Sequence, residues 1–289
     1  MMTALSPSCR LHDAPWLTLA DDQILNRFCL HTGIRRNAVQ AELLQQVALA
    51  FGCVPYENLT KIVKAHGVIS AASAMRYPDE VLAEFLKFGA GGTCFALTAA
   101  AVAVFDALGI EAHPILADRH YGVNTHCGLI ITTPAGMLLF DPGYLLCTPV
   151  AVPHHERVVI ETGFNQIELN PIDNGARVEL ITVVKNNRKL RLTFKIAPVS
   201  DEAFGKAWEQ SFAFEMMTYP VLTRTHNGCH HYLQGAQLAQ RNSVRTQRTM
   251  LTRAAQIEYI TTTFGIKRDL VIRALEIVNY GTNASALSR

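Results

Sequence analysis

The sequence lacks a membrane-length apolar run and an excess of either charge. Its longest apolar stretch, from Ala99 to Leu108, contains Asp106 and is far shorter than the roughly 20 residues that cross a bilayer. Lys and Arg number 26 against 24 Asp and Glu, for a net charge of +2. Neither a nucleic-acid-binding stripe nor a polybasic membrane patch is therefore indicated. These absences favour a small-molecule partner, with no nucleic acid and no membrane.

The cysteine and histidine patterns exclude other kinds of site. The seven cysteines are an odd number with no CxxC pair, which is typical of neither a disulfide framework nor a zinc site. Cys229-His230-His231 and His154-His155 lack a second ligand pair at zinc spacing, so we expect no metal. The first residues show no basic region followed by an apolar core, and a cytoplasmic protein is therefore predicted.

The sequence does contain two kinds of hydrophobic periodicity. Apolar residues recur at three- and four-residue spacing between about residues 20 and 88, which predicts helices. From about Ile110, short β-type runs separated by Gly, Pro and Asn predict a sheet or a barrel. A further helical piece begins at Asp201, and Leu270–Val278 is typical of a terminal helix. The expected fold class is α+β.

One cysteine lies where a helix is predicted to begin. Cys94 follows Gly91-Gly92-Thr93 and precedes an Ala-rich apolar run. Because glycine adopts backbone angles closed to other residues, the pair allows a sharp turn before the helix. At a helix N-terminus the unpaired amides and the dipole stabilise a thiolate, which makes Cys94 a candidate nucleophile. Taken alone, Cys94 is better explained as a small buried core residue.

His126 and Asp141 are the candidate partners of that thiol. His126 is the second residue of the run THCGLIITT, which passes through Pro134-Ala135 into GMLLFD and ends at Asp141. With a two-residue loop Thr133 faces Gly136, so Asp141 lies diagonal to His126 on one face of the hairpin. Considered separately, His126 is explained as a histidine at a strand end, and Asp141 as a carboxylate that caps the following turn. Together with Cys94 they match the Cys-His-Asp arrangement of acyl-transfer enzymes.

These motifs, together with one upstream, resemble a known family. VPYENL (54–59) is similar to the Ile-Pro-Phe-Glu-Asn-Leu motif of the arylamine N-acetyltransferases, and GGTCF (91–95) to their Arg-Gly-Gly-x-Cys-Phe motif. THCGLI and LFDPGY follow in the family's order and at about its spacing. The resemblance covers most of the chain, and it is specific because three separated motifs agree.

The resemblance implies roles for site residues and a substrate class. Cys94 matches the family's nucleophile, His126 its base and Asp141 the carboxylate that orients the base. Phe95 and Thr125, which adjoin them in the motifs, are expected to bind substrate. The implied acyl donor is acetyl-CoA, and the implied acceptor is an arylamine, an arylhydroxylamine or a hydrazine. No metal cofactor is implied.

The resemblance also implies a domain layout. Residues 1–88 would form an N-terminal helical domain. Residues 89–198 would form a catalytic helix and a central antiparallel β-barrel, and residues 199–289 a C-terminal α/β lid. Such a catalytic core is like that of transglutaminases and cysteine proteases.

The sequence departs from the family at several motif positions. Ala90 stands where the family has Arg, Ala96 where it usually has Glu, and Thr98 where it usually has Asn. A buried Glu57 would then lack the cationic partner that a buried carboxylate needs. We therefore expect a less charged and more apolar pocket beside the nucleophile, and a preference for bulkier or more apolar substrates.

Other functions stay open on the sequence alone. An amide synthase would take a long acyl chain from an acyl carrier protein, and a wide pocket would favour it. A transglutaminase-like or cysteine-protease-like hydrolase would use the same core and release product with water. A non-catalytic binding protein would retain the triad without its reactivity, so a Cys94 thiol no more reactive than a free thiol would favour that alternative.

Overall fold

The computed structural model describes residues 11–144, 146–184, 187–226 and 228–286. It confirms the α+β class, with helices concentrated before residue 108 and strands after it. The helices are α1 (Asp22–Thr32), α2 (Gln40–Cys53), α3 (Leu59–His66), α4 (Ala71–Ala74), α5 (Pro78–Phe88), α6 (Cys94–Ala107), α7 (Asp201–Gln210), α8 (Arg253–Tyr259) and α9 (Arg268–Ala286). The strands are β1 (Tyr56–Glu57), β2 (Ala112–Arg119), β3 (Gly122–Thr133), β4 (Gly136–Asp141), β5 (Leu146–Ala151), β6 (Val158–Glu161), β7 (Gln166–Ile172), β8 (Arg177–Val184), β9 (Asn187–Lys195), β10 (Val221–His226), β11 (Cys229–Gln234), β12 (Gln237–Arg241) and β13 (Thr246–Met250).

Local signals in the sequence set the ends of the N-terminal helices. The Asp21 side chain caps α1 by accepting a hydrogen bond from the Gln23 amide, which satisfies one unpaired donor of the first turn. Pro78 begins α5 with its fixed φ, and Asp79 in the first turn complements the helix dipole. Gly89 ends α5 in the left-handed conformation, with a φ of 67°.

The larger sheet is antiparallel and open. Its strand order is β5-β4-β3-β2-β9-β8-β7-β6, and the edge strands β5 and β6 share no register pairs within the described residues. The predicted central antiparallel barrel is therefore found as a curled, open half-barrel. Strand β5 packs against helix α2. The edge of the sheet at β5 is therefore covered by a helix and not paired with another strand.

A second, five-stranded sheet crosses the predicted domain boundaries. Its order is β1-β10-β11-β12-β13, so two residues from the helical N-terminal part pair with a strand from the C-terminal part. Helices α8 and α9 pack against this sheet around Leu222, Leu233, Phe264 and Leu275. The sheet thereby joins the segment that precedes Cys94 to the last third of the chain.

Helix α6 lies at the centre of the molecule. Every residue from Cys94 to Phe105 is buried, because the run has no polar face to present to water. Helices α2 and α5 and strands β2 and β3 surround it. Such a helix holds the side chain at its N-terminus still. Across the described residues, we find no helix with the length and apolar character that a membrane span requires.

Candidate active site

Cys94 is the first residue of α6, and the backbone before it is joined to the VPYENL segment. Gly92 donates to the Pro55 carbonyl (3.3 Å), and the Glu57 amide donates to the Gly92 carbonyl (3.0 Å). A Cβ atom at Gly91 would lie 1.8 Å from the Pro55 oxygen. Gly91 and Gly92 do not have positive φ, so the predicted reason for these glycines is wrong. Close backbone approach, and not unusual backbone angles, requires glycine at Gly91.

A second glycine makes room for Cys94. Gly143 lies in the 3₁₀ turn that follows β4, and a Cβ there would come within 2.7 Å of the Cys94 Cα and 2.8 Å of its Cβ. The turn therefore packs directly on the start of α6. Because Asp141 immediately precedes this turn, the same contact brings β4 close to Cys94.

The predicted hairpin register is confirmed, and it brings His126 and Asp141 together. Thr133 pairs with Gly136, and the ladder continues in register to Leu129 and Phe140. The His126 Nε2 atom lies 2.7 Å from Asp141 Oδ2, and both side chains are fully buried. Burial is the largest influence on the pKa of His126 and lowers it, as does Arg119, but the Asp141 carboxylate and Cys94 together outweigh them and hold that pKa above its ordinary value.

The Cys94 thiol is acidified by its neighbours. A hydrogen bond from Cys127 contributes most to a Cys94 pKa well below the ordinary thiol value; burial opposes this shift, while His126 and Arg119 support it. Burial and the bond to Cys94 raise the pKa of Cys127, so Cys127 stays a neutral donor. The sequence predicts only a core role for Cys127. Its burial is confirmed, but its contact with Cys94 was missed.

Arg119 is a site residue that the sequence did not reveal. Its Nη2 atom lies 2.9 Å from His126 Nδ1, on the side of the ring away from Asp141. Its guanidinium also faces the Tyr144 ring at 5.5 Å, and its Nε atom has no hydrogen-bond partner among the described residues. Arg119 thus completes a line of side chains, Arg119–His126–Asp141, in which Arg119 is partly buried and the other two are fully buried.

Lys61 is a second cation that the sequence did not reveal. It is 4% exposed and lines the space above Cys94. Its Nζ atom donates to the Ser211 carbonyl (2.9 Å) and hydroxyl (2.6 Å) and lies 4.1 Å from the centre of the Phe212 ring. Burial lowers the pKa of Lys61 to about 7. Cys94 and Cys127 raise this pKa and so offset part of the desolvation cost.

The prediction that Glu57 lacks a cationic partner is wrong. Glu57 is fully buried, and Arg76 Nη1 lies 3.9 Å from its Oε1. Arg76 also donates to the Thr60 hydroxyl (2.7 Å) and to the Gly91 carbonyl (2.6 Å). An arginine 14 positions before Ala90 therefore supplies the charge that the motif position lacks. Lys61 and Arg119 line the space above Cys94, while the expectation of a less charged and more apolar pocket than in typical family members stays a prediction.

The space above Cys94 is narrow. Its volume is about 10 Å³, or roughly that of one water-sized sphere. Phe95 and Thr125, both predicted to bind substrate, line it together with Lys61 and Arg119, and no Asp or Glu does so among the described residues. Phe95 is also buried against Phe204 and Trp208. Because Lys61 and Arg119 line this space and no described carboxylate does, its wall carries positive charge.

A much larger cleft of about 1140 Å³ adjoins this space, with Arg119 and Tyr121 lining both. Glu161 is the one carboxylate among the described residues that line it. Its basic residues are Arg119, Lys189, Arg191, Arg241, Arg245 and Arg248. Such a concentration of positive charge, in a chain with a net charge of only +2, attracts anionic groups. Within the described ranges no cluster of His, Cys, Asp and Glu is placed to bind a metal.

Solved structures with this architecture include several arylamine N-acetyltransferases. The protein from Mycobacterium abscessus superposes with a TM-score of 0.74 at 19% identity, over 88% of this chain and 94% of its own. The Nocardia farcinica protein gives 0.72 at 20% identity, over 91% and 97%. The Mycobacterium marinum protein in complex with CoA gives 0.68 at 17% identity, over 84% and 97%. No protein-family model and no curated protein matches the chain. At these identities the likeness concerns architecture, and the chain has the fold of the arylamine N-acetyltransferases.

Proposed function

We propose that this protein is an acyltransferase of the arylamine N-acetyltransferase type. It would move an acetyl group from acetyl-CoA to an amine through a covalent intermediate on Cys94. The observation that carries the proposal is the arrangement behind the thiol: Asp141 holds His126 at 2.7 Å, and His126 faces an acidified cysteine at a helix N-terminus. This combination activates a thiol nucleophile and supplies a base for the acceptor.

In the first half-reaction the Cys94 thiolate attacks the thioester carbonyl. The first-turn amides of α6 have no intrahelical partners and point toward the developing oxyanion. The C–S bond to CoA breaks, the acetyl group stays on Cys94, and the CoA thiolate leaves. In the second half-reaction the amine nitrogen attacks the acetyl-Cys94 carbonyl while His126 takes the amine proton. The amide leaves, the Cys94 thiolate returns, and the proton passes from His126 to solvent or to CoA.

The charge of the large cleft supports a CoA donor. CoA carries a pyrophosphate and a further phosphate ester, and Arg side chains bind phosphate groups bidentately. Arg191, Arg241 and Arg248 line the cleft, which adjoins the space above Cys94 through Arg119. A donor bound here would extend its thioester toward the thiol.

The spaces beside the thiol leave the acyl group open by size. The space directly above Cys94, at about 10 Å³, holds about one water-sized sphere and is too small to distinguish a short acyl group from a long one. The adjoining cleft of about 1140 Å³ is wide enough for the long chain of an amide synthase, which stays the second candidate. We propose acetyl as the acyl group because the basic residues of the cleft suit CoA, with an arylamine as the acceptor.

Intact mass spectrometry after incubation with acetyl-CoA tests the proposal. The wild type should gain one acetyl group, Cys94→Ala none, and the control Cys53→Ala, which removes an exposed thiol, one as in the wild type. Adding an arylamine should discharge the label and yield the acetylated amine. Labelling that persists in Cys94→Ala would contradict the proposal. Rapid release of acetate without amine would instead indicate a hydrolase.

A further inference from the structure

Lys61 brings a primary amine to the space above the thiol. Its side chain extends from α3, is 4% exposed, and lines the space that Cys94 also lines. At about 10 Å³ this space holds roughly one water-sized sphere. An acyl group bonded to Cys94 would therefore lie in the space that the amine of Lys61 lines.

The hydrogen bonds of Lys61 leave its lone pair unused when the amine is neutral. Ser211 Oγ donates its own hydrogen to the Trp208 carbonyl at 2.6 Å, so in the 2.6 Å contact with Lys61 Nζ the amine is the donor. Lys61 Nζ donates a second hydrogen to the Ser211 carbonyl at 2.9 Å. A neutral amine has two hydrogens, and both are then engaged. No described residue donates to the lone pair, so it is available to attack an electrophile.

The charge state of Lys61 depends on that of Cys94. Burial lowers the pKa of Lys61 to about 7, and Cys94 and Cys127 oppose this shift. Because the Cys94 thiol is acidified, its thiolate stabilises the ammonium form of Lys61. An acyl group on Cys94 converts the thiolate into a neutral thioester and removes that stabilisation. Acylation of Cys94 therefore increases the fraction of Lys61 that is a free amine.

The other groups around the space do not restore the ammonium form. The remaining charged and titratable side chains that line it are Tyr56, Arg119, Tyr121 and His126. Arg119 and His126 supply no negative charge, and burial raises the pKa of both tyrosines, so their hydroxyls are neutral at pH 7. Within the described part of the chain no Asp or Glu lines the space. The Phe212 ring, 4.1 Å from Nζ, favours the ammonium, but it does so equally before and after acylation.

We propose that Lys61 is a second acyl-acceptor site of this protein: when no external amine is present, the acyl group on Cys94 passes to Lys61 Nζ. This step rests on the proposed function. The amine nitrogen attacks the acyl carbonyl, a C–N bond forms, and the C–S bond to Cys94 breaks. The Cys94 thiolate returns, and His126 takes the proton that the nitrogen loses. The amide is more stable than the thioester, so Lys61 stays modified.

The modification has a consequence for the site. Acetyl-Lys61 is neutral, so its burial no longer carries the desolvation cost of an ammonium. Its acetyl group also occupies part of the space above Cys94. The modified protein should therefore accept the next acyl group more slowly than the unmodified protein does.

Peptide mapping by mass spectrometry, in phosphate buffer at pH 8 without any amine, tests the proposal on the whole protein. Acetyl-CoA is the first probe. Hydroxylamine cleaves a thioester and leaves an amide, so it separates acetyl-Cys94 from acetyl-Lys61. In the wild type, a label that hydroxylamine removes should appear first on Cys94, and a label that resists it should accumulate later on Lys61. The amount on Lys61 should exceed that in Cys94→Ala by at least about 100-fold, because the thioester holds the acyl group beside the amine.

Two variants and a second probe complete the test. Lys61→Met should keep its label on Cys94 in the form that hydroxylamine removes. Lys64→Met is the matched control, since Lys64 lies on the same helix, paired with Glu80, and it should acquire the stable label on Lys61 as the wild type does. If acetyl-CoA does not label Cys94, the proposed function fails, and p-nitrophenyl acetate then supplies the acetyl group without a CoA site. A Cys94 label that persists or is lost to water without reaching Lys61, or equal labelling of Lys61 in Cys94→Ala, would overturn the proposal with either probe.

Discussion

Replacing Arg76 with Met removes the charge that neutralises the buried carboxylate of Glu57. Arg76 is 3% exposed, and Glu57 is fully buried 3.9 Å away. Arg76 also bonds to Thr60, to the Gly91 carbonyl and, at 2.5 Å, to Glu84. Met fills similar space with an apolar chain, so the substitution removes the charge and the donors more than the packing.

The expected loss of stability is large. Removing one partner of a buried ion pair costs about 3–5 kcal/mol, because the other charge remains buried without compensation. The contact to Glu84 adds less, since that side chain is 28% exposed. We expect the free energy of unfolding to fall by about 4 kcal/mol. At about 2–4 °C per kcal/mol for a protein of this size, Tm should fall by about 8–16 °C.

The loss should depend on pH through Glu57. Burial raises the pKa of Glu57, and Arg76 opposes that rise. Between the ordinary carboxyl pKa and the raised value, the folded state binds more protons than the unfolded state, so stability falls as pH rises. Without Arg76 the pKa of Glu57 rises further. The deficit of Arg76→Met relative to the wild type should therefore be smaller at pH 5 than at pH 8.

Urea unfolding followed by circular dichroism measures both effects. Arg35→Met is the matched control, because Arg35 pairs with Glu42 on the surface with side chains 65% and 50% exposed; it should cost less than about 1 kcal/mol. Adding Glu57→Gln to Arg76→Met should recover part of the loss. If Arg76→Met costs no more than Arg35→Met, or costs the same at pH 5 and pH 8, the reasoning is refuted.

Three further substitutions probe the site. Gly143→Ala places a Cβ 2.7 Å from the Cys94 Cα and should slow acetyl transfer about 100-fold; a wild-type rate would show that the turn can yield. Asp141→Asn should lower kcat about 10³–10⁴-fold, because His126 loses the carboxylate that orients it. The affinity for CoA, measured by calorimetry, should not change. Lys61 has a pKa of about 7, so between pH 7 and pH 10 the unfolded state binds more protons than the folded state. The free energy of unfolding of the wild type should therefore rise relative to that of Lys61→Met over this range, by up to about 1.4 kcal/mol per pH unit. Unfolding free energies, measured with urea, that change equally with pH in the two proteins would contradict this.

The sequence alone was sufficient for the part of the site that local geometry determines. Alternation along β3 and β4 and a two-residue loop place His126 and Asp141 on one face, because side chains two apart on a strand point the same way. The observed pairing of Thr133 with Gly136 is the register that this reasoning requires. The start of α6 at Cys94 likewise agrees with the apolar run that begins there, although the glycines before it act through close backbone approach at Gly91.

Only the tertiary structure placed Arg119. The β2–β3 ladder pairs Arg119 with Gly122 but Ala117 with His126, so three residues of β3 lie opposite one residue of β2. Asn124, with a φ of 57°, lies within this irregularity. Counting from the turn at His120-Tyr121 therefore gives the wrong neighbour for His126, because a bulge shifts every later pair.

The charges around the site were also decided by tertiary structure. The motif position held by Ala90 indicated an unpaired Glu57, whereas Arg76 reaches that carboxylate from the segment before α5. Lys61 is held by Ser211, 150 positions away in the sequence. A buried charge is satisfied by whichever side chain the fold brings within reach, and distance along the chain does not limit that choice. Motif positions therefore singled out Cys94, His126 and Asp141 as candidate site residues, whereas long-range packing determined which cations lie around them.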